Sequence, residues 1–299
     1  MNIGIVGPGA IGSLWAIKLS QAGHNVALYS RKTDSQLSIT LDQQQPVVFT
    51  NNNRQLLNQC DLIIVTVKAW QVESAITPLL ATLHRDTILM FMHNGMGAVD
   101  SLSNDIHHFP IVLATTTQAA FKRSPENVLH TGQGATQLGG YNASGEQCTF
   151  LCEVLNHALP EVKWNQSIQK ALWQKLAINC AINPLTGLNQ IKNGQLAEAK
   201  YQEELQPLIT ELEAVMTAEG IPTSKRELQE TINHVIHATA QNNSSMKQDM
   251  LYHRPTEIDF ITGYLLKAAA KHNIDVPANL ALYNRVKQAE QYLEKNKQY

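Results

Sequence analysis

The first twelve residues place the strongest constraint on what this chain can fold into. Residues 1–6 form a short apolar run, and an amphipathic stretch from Ser13 to Ala22 follows a turn of small residues. The turn consists of Gly7, Pro8, Gly9, Ala10, Ile11 and Gly12. The order is therefore strand, glycine turn and helix, and GxGxxG in that context is the fingerprint of a dinucleotide-binding domain.

Each glycine of the turn has a predicted task. Gly7 permits the tight turn, Gly9 leaves room for a pyrophosphate beside the backbone, and Gly12 lets the helix pack close to the strand. The helix N-terminus offers unpaired N–H groups and the positive end of its dipole to the phosphates. We therefore predict that residues 7–12 bind a dinucleotide; a glycine-rich turn without a ligand is the alternative.

Composition indicates a globular chain and excludes several classes of partner. The 299 residues are 43% hydrophobic and 16% charged, with a formal net charge of -2. The length is that of one large or two ordinary domains. The near-neutral charge does not indicate binding to nucleic acid or to a membrane surface. The apolar start is broken early by glycine, so we interpret it as a first strand of a cytoplasmic protein rather than a signal peptide.

The cysteines and histidines do not suggest a metal site. Of Cys60, Cys148, Cys152 and Cys180, only the middle two are close in sequence, and no second Cys or His pair completes a zinc spacing. The eleven histidines are scattered. We expect reduced thiols and no metal.

The first half of the chain alternates strand and helix patterns, which predicts a parallel sheet of the Rossmann type. After the first strand, further strands are predicted at 25–30, 62–67, 87–92 and 111–115, with helices at about 71–82 and 96–104 between them. The polar tract 42–53 is predicted as a loop or a weak edge hairpin. Residues 128–141 are predicted as a terminal hairpin of this domain.

The second half is predicted to be all-helical. Helices are expected at 168–183, 201–219, 224–240, 257–272 and 277–295. The fold class is accordingly α/β, with an N-terminal Rossmann-type domain over residues 1–165 and a helical substrate domain over residues 166–299.

The end of the second strand indicates which dinucleotide is bound. NAD enzymes place an acidic residue there for the ribose 2′-hydroxyl, whereas this chain has Ser30-Arg31-Lys32. An acid would repel a 2′-phosphate, while arginine presents a fork of donors that matches one. NADP is therefore predicted, with Arg31 as the principal contact and Lys32 in support; an ordinary solvated cation is the alternative.

Polar residues follow the strands where a ligand is expected. In open α/β sheets, ligands lie beyond the carboxyl ends of the strands. Lys68 follows the 62–67 strand and Asn94 follows the 87–92 strand. Together they could bind a substrate carboxylate or a nicotinamide ribose, although loop polarity explains either residue alone equally well.

A second set of candidates lies in the helical half. Lys175, Asn179 and Asn183 are spaced four apart, which puts them on one face of a helix among apolar residues. Polar groups in apolar surroundings need hydrogen-bond partners, which a bound ligand could supply. The alternative to such a functional site is a buried ladder of polar side chains between helices. Pro184 is predicted to end or kink this helix. Ser244-Ser245, by spacing alone, is predicted to cap a further helix.

These segments together resemble the ketopantoate reductase (2-dehydropantoate 2-reductase) family nearly end to end. The resemblance rests on the glycine turn and on six further segments. They are Val67-Lys68-Ala69-Trp70-Gln71, His93-Asn94-Gly95-Met96-Gly97, Trp173 to Cys180, Asn183-Pro184-Leu185-Thr186, Ser244-Ser245-Met246 and Thr256-Glu257-Ile258-Asp259. The glycine turn is common to many enzymes, whereas the last segments are much more specific.

The resemblance implies NADPH-dependent reduction of 2-dehydropantoate to pantoate, on the route to pantothenate and coenzyme A. It implies that Lys175 is the proton donor and that Glu257 lies where cofactor and substrate meet. The implied substrate ligands are Asn94, Lys175, Asn179, Asn183, Asn193 and Ser245. The implied cofactor contacts include Lys68, Asn94, Ala120 and Glu257.

The residue types suit that chemistry. A lysine ammonium can stabilise the charge that develops on a ketone oxygen and then protonate it, and apolar surroundings should lower its pKa. Glu257 could orient the lysine or the cofactor ribose. Two alternatives remain open: a reductase for another 2-oxo acid, including an opine-type dehydrogenase, and an NADP-binding regulator without turnover. The chain is expected to be a monomer or homodimer.

Overall fold

The computed structural model describes residues 1–102 and 106–295, which form two compact units. Of the described residues, the first unit contains 1–93, 98–102 and 106–171, and the second contains 94–97 and 172–295. Composition alone predicts a single boundary at 165/166. Residues 94–97 join the second unit because the Met96 N–H donates to the Phe260 carbonyl at 2.8 Å.

Eleven strands of the described chain form one sheet in the first unit. They are β1 (Asn2–Val6), β2 (Asn25–Tyr29), β3 (Gln36–Leu41), β4 (Val47–Asn51), β5 (Leu62–Val65), β6 (Ile88–Phe91), β7 (Ile111–Thr116), β8 (Ala119–Lys122), β9 (Asn127–Gly132), β10 (Thr136–Gly140) and β11 (Val162–Trp164). Their order across the sheet is β11-β10-β7-β6-β5-β1-β2-β4-β3-β9-β8.

The helices of the first unit alternate with these strands. They are α1 (Ala10–Gln21), α2 (Arg54–Asn58), α3 (Val72–Leu80), α4 (Ala143–Glu146) and α5 (Leu151–Ala158), with a 3₁₀ turn at Ala69–Gln71. The remaining helices are α6 (Ile168–Asn189), α7 (Ala199–Ala218), α8 (Lys225–Ala238), α9 (Ser245–Leu251), α10 (Thr262–Lys271) and α11 (Pro277–Lys295), with 3₁₀ turns at Asn193–Ala197 and Ile258–Phe260.

The Rossmann-type parallel sheet predicted from the sequence is confirmed at its centre. β1 pairs in parallel with β2 on one side and with β5 on the other, so that Val6 lies beside Tyr29 and Val65. β6 continues the parallel order next to β5. Strands β5 and β6 are buried throughout, which explains their continuous rather than alternating apolar sequence. The carboxyl ends of these strands consequently share one edge.

Two predictions about the outer strands turn out differently. The tract 42–53, predicted as a loop or a weak edge hairpin, does belong to a hairpin, β3 with β4. That hairpin is not at the edge of the sheet, because β4 pairs with β2 and β3 pairs with β9. The predicted hairpin at 128–141 is wrong, because β9 pairs with β3 and β8, whereas β10 pairs with β7 and β11. Alternation of apolar residues indicated strands there but could not indicate their partners.

The C-terminal unit is helical, as predicted, and has its own apolar core. Pro184 is predicted to end or kink its helix; it does not end it, since α6 continues to Asn189, and a kink there stays a prediction. Proline removes one N–H donor and crowds the preceding turn. The buried side chains Cys180 and Leu185 hold both sides of the proline in the core. The helix predicted at 96–104 is wrong over 96–102, and its last two positions lie outside the described residues.

Within residues 1–102 and 106–295, the helices include none that is long and apolar enough to cross a membrane. The four cysteines carry free thiols, as predicted.

Candidate functional site

Close packing explains two of the three glycines in the first turn. Gly7 has a φ of +86°, a left-handed conformation that favours glycine, and a Cβ there would overlap the Val67 side chain. A Cβ on Gly12 would overlap Thr66 Oγ1 and lie 2.5 Å from the Gly7 carbonyl oxygen. Both glycines are therefore required by the approach of α1 to β1 and β5.

Gly9 differs, because the space beside it is open. A Cβ at Gly9 would meet only the Gly7 carbonyl oxygen, at 3.9 Å. Gly9 is the N-cap of α1 and has no side chain with which to cap the first-turn amides. Uncapped amides beside open space fit an anionic phosphate group, so the turn satisfies the requirements of a dinucleotide's pyrophosphate.

Replacing Gly12 by alanine should destabilise the protein by about 1–3 kcal/mol, because the added methyl has no room in a packed site. The matched control is Gly9→Ala, because the added methyl group would lie at van der Waals distance, 3.9 Å, from the Gly7 carbonyl oxygen. Urea unfolding of both variants checks this expectation. Equal stability of the two variants would contradict the packing argument.

Three cations of the first unit are candidates for contacts with the phosphates of a dinucleotide. Arg31 and Lys32 follow β2 and are exposed, which both the predicted contact with a 2′-phosphate and the alternative of a solvated cation allow. Lys122, which sequence reasoning missed, donates its Nζ hydrogen to the Pro8 carbonyl at 2.6 Å. Burial, together with the charge of Lys32, lowers the pKa of Lys122. A positively charged neighbourhood of this kind suits the phosphates of a dinucleotide.

Lys68 and Ala120 occupy different parts of the first unit. Lys68 lies three residues beyond the end of β5, and its N–H donates to the Gln71 side-chain oxygen at 3.3 Å. Ala120 lies within β8, the last strand at one end of the sheet order. The only signal for Lys122 in the sequence was its place two residues after Ala120 in this strand.

The second unit presents Lys175, Asn179 and Asn183 on α6, on one face of the helix as their spacing predicts. Lys175 and Asn179 are partly exposed, while Asn183 is buried. Burial lowers the pKa of Lys175 to about 8, and the negative charge of Glu257 opposes that shift. The predicted lowering of the lysine pKa is thereby confirmed, with its cause.

Glu257 and Asn94 complete a cluster with Lys175 in the second unit. Glu257 is 4% exposed, and a carboxylate so deeply buried needs polar partners. The Asn94 amide donates to Glu257 Oε2 at 3.3 Å, and the lysine supplies the opposite charge. The sequence identified all three residues but gave no sign that Asn94 and Glu257 contact each other.

Asn193, Ser244 and Ser245 lie in the same unit. The Asn193 amide donates to Thr239 Oγ1 at 2.9 Å, whereas its buried Oδ1 has no hydrogen-bond partner among the described residues. That acceptor is available to a ligand hydroxyl. Ser244 caps α9 and accepts a hydrogen bond from Thr186 on α6 at 2.7 Å, so the predicted cap is confirmed. Ser245, the next residue, is exposed.

Among the described ranges 1–102 and 106–295, no group of three or more His, Cys, Asp or Glu side chains could hold a metal ion.

The fold and these two sets of residues define an oxidoreductase with a Rossmann-type domain and a helical domain. The family model of ketopantoate reductase PanE/ApbA matches residues 3–143, and the model of its C-terminal part matches residues 167–290. The chain therefore belongs to the ketopantoate reductase family.

Relatives with assigned names agree with this membership. The chain is 50% identical to the 2-dehydropantoate 2-reductase of Vibrio cholerae, over 97% of this chain and 98% of that protein. It is 38% identical to the enzyme of the same name from Shigella flexneri, over 99% and 97%.

Solved structures share the fold. A ketopantoate reductase of the PanE/ApbA family from Ralstonia eutropha JMP134 has a TM-score of 0.87 at 24% identity, covering 98% of this chain and all of that one. A D-mandelate dehydrogenase, in complex with NADH and anilino(oxo)acetate, has a TM-score of 0.88 at 23% identity, with coverage of 98% and 100%.

Proposed function

We propose that this protein reduces 2-dehydropantoate to pantoate with NADPH. The observation that carries the proposal is the half-buried lysine at 175 beside the buried carboxylate of Glu257, in a chain that is half identical to a 2-dehydropantoate 2-reductase. A lysine whose pKa is brought to about 8 is charged at neutral pH and can still release its proton.

NADPH is the proposed cofactor, and when bound it supplies the hydride. The turn at residues 7–12 would hold its pyrophosphate against the uncapped start of α1. Arg31 and Lys32 would contact the 2′-phosphate, and Lys122 would add positive charge near the turn. Lys68, Asn94 and Ala120 are proposed as further cofactor contacts, on the strength of the family motif.

Lys175 is proposed to act on the ketone oxygen. Its ammonium would stabilise the negative charge that develops on that oxygen and then donate a proton from Nζ to form the hydroxyl group. Glu257 would keep the lysine charged and oriented, because its carboxylate opposes the effect of burial. The Asn94 amide holds one carboxylate oxygen of Glu257.

Asn179, Asn183, Asn193 and Ser245 are proposed to bind the carboxylate and hydroxyl groups of the substrate. Amide and hydroxyl groups can donate to these oxygens without adding a charge that competes with Lys175. The buried Asn193 Oδ1 has no hydrogen-bond partner in the part of the chain that the structure describes, which supports a role for this residue as an acceptor from a substrate hydroxyl. We also propose that the protein acts on a small-molecule substrate as a monomer or a homodimer.

A panel of 2-oxo acids tests the substrate assignment. We expect NADPH oxidation to be fastest with 2-dehydropantoate and much slower with pyruvate, 2-oxoisovalerate and phenylglyoxylate, the 2-oxo acid that corresponds to mandelate. A higher kcat/KM for one of the other acids would show that this acid, and not 2-dehydropantoate, is the preferred substrate. NADPH binding without turnover of any acid would indicate a regulator.

The pH dependence of turnover should report the lysine. The protonated form of Lys175 is the active one, so kcat should fall as pH rises through about 8, and should be nearly constant below it. Glu257→Gln removes the charge that raises the lysine pKa, so its decline should begin at lower pH. Steady-state measurements of kcat for the wild type and for Glu257→Gln, from about pH 6 to about pH 10, give both pH profiles. A decline of kcat with falling pH near neutrality would contradict the role of the ammonium.

A further inference from the structure

Glu257 lies in a short segment that is attached on both sides of the carboxylate to the last helix. The N–H of the preceding residue, Thr256, donates to Glu290 Oε1 on α11 at 2.7 Å. On the other side of Glu257, the carboxylate of Asp259 accepts from the Tyr283 hydroxyl at 2.6 Å and from Lys287 Nζ at 2.9 Å. The backbone around Glu257 is thus fixed by α11 at two points.

The three residues of α11 form one connected group. Tyr283, Lys287 and Glu290 are spaced by four and three positions, so they lie on one face of the helix. Lys287 pairs with Glu290 Oε2 at 3.3 Å as well as with Asp259. The side chain of Glu290 is 16% exposed and that of Lys287 34% exposed, whereas that of Asp259 is 51% exposed. The pair of Lys287 with Glu290 is therefore the better shielded from solvent.

Lys287 keeps its positive charge near neutral pH. Burial alone would lower the pKa of Lys287, but its hydrogen bonds to Asp259 and Glu290 and their charges raise it above the usual value. Lys287 therefore stays an ammonium across the range in which Lys175 titrates.

The opposite side of the segment meets residues 94–97. The Met96 N–H donates to the Phe260 carbonyl, and a side chain at Gly95 (φ +79°) would overlap that same carbonyl. Asn94 then reaches the Glu257 carboxylate. Because the backbone is held from both sides, Glu257 has little freedom to move away from Lys175.

We propose that Tyr283, Lys287 and Glu290 are positioning residues that fix Glu257 beside Lys175. This inference rests on the proposed function. The three residues act through the backbone at Thr256 and through Asp259. Removing their contacts would allow the Glu257 carboxylate to move away from Lys175. The charged form of the lysine would then lose the negative charge that stabilises it.

The decisive variant is Glu290→Ala, which removes the acceptor of the Thr256 N–H. We expect kcat to fall about tenfold, since small displacements of a catalytic group are costly. The KM for NADPH should stay unchanged, and the decline of kcat at high pH should begin at lower pH than in the wild type. Glu290→Gln keeps an oxygen acceptor for that N–H and should restore most of the activity.

The matched control is Glu294→Ala, one turn further along α11, where the glutamate is exposed. It should leave kcat and the pH profile unchanged. If Glu290→Ala lowers only the stability, with kcat and the pH profile intact, the three residues are merely structural and the inference fails. Should that variant not fold, Tyr283→Phe, which removes one hydrogen bond to Asp259, is measured for the same shift, and no shift overturns the inference.

The wild-type assay separates this failure from failure of the proposed function. If the wild type does not reduce 2-dehydropantoate, the proposed function is wrong. If it does and Glu290→Ala behaves like Glu294→Ala, only the positioning role is wrong.

Discussion

Lys175→Met should lower kcat by about 10²–10⁴-fold, the range that a positioned general acid contributes. Methionine nearly matches the length and volume of the lysine stem, so the apolar surroundings on α6 stay filled. What is lost is the ammonium that both stabilises and protonates the ketone oxygen. NADPH affinity, measured by fluorescence titration without substrate, should be unchanged.

Two further variants sharpen this expectation. Lys175→Arg keeps the positive charge but cannot release a proton at neutral pH, so its kcat should also be low. Lys170→Met, an exposed lysine on the same helix, is the matched control and should be as active as the wild type. Turnover of Lys175→Met close to that of Lys170→Met would remove Lys175 from the role of proton donor.

Arg31→Asp should reverse the preference between NADPH and NADH. A charge-assisted contact to the 2′-phosphate is worth about 1.5–3 kcal/mol, and the new carboxylate adds repulsion. We therefore expect kcat/KM with NADPH to fall about 100-fold. The ribose of NADH carries a 2′-hydroxyl, which can donate a hydrogen bond to the new carboxylate. With NADH, kcat/KM should therefore stay the same or rise.

Arg85→Asp is the control for this change. It makes the same change of charge at another exposed arginine of the first unit, in the turn before β6. The ratio of NADPH to NADH activity should then stay at the wild-type value. An unchanged ratio in Arg31→Asp would show that Arg31 is an ordinary surface cation.

Local patterns predicted much of this molecule. The glycine turn, the buried strands β1, β5 and β6, and the helices of the C-terminal unit follow from periodicity and from turn residues, which act over a few positions. The spacing of Lys175, Asn179 and Asn183 likewise predicted a shared helix face. The lysine pKa shift followed from the apolar residues around it.

Features that depend on contacts distant in sequence escaped prediction. The pairing of Asn94 with Glu257 joins residues 163 positions apart, and the contact of Lys122 with Pro8 joins residues 114 apart. No local pattern encodes such contacts. The separate partners of β9 and β10 were missed, and the passage of α6 through Pro184 was left open, for the same reason: tertiary packing decided them.

The most direct test of the central claim follows the hydride itself. The protein is incubated with 2-dehydropantoate and NADPH that carries deuterium at both C4 positions, and the product is analysed by mass spectrometry and NMR. We expect pantoate with one deuterium at carbon 2 and one NADP⁺ formed for each pantoate. Binding of NADPH with no pantoate formed, or pantoate without deuterium at carbon 2, would contradict it.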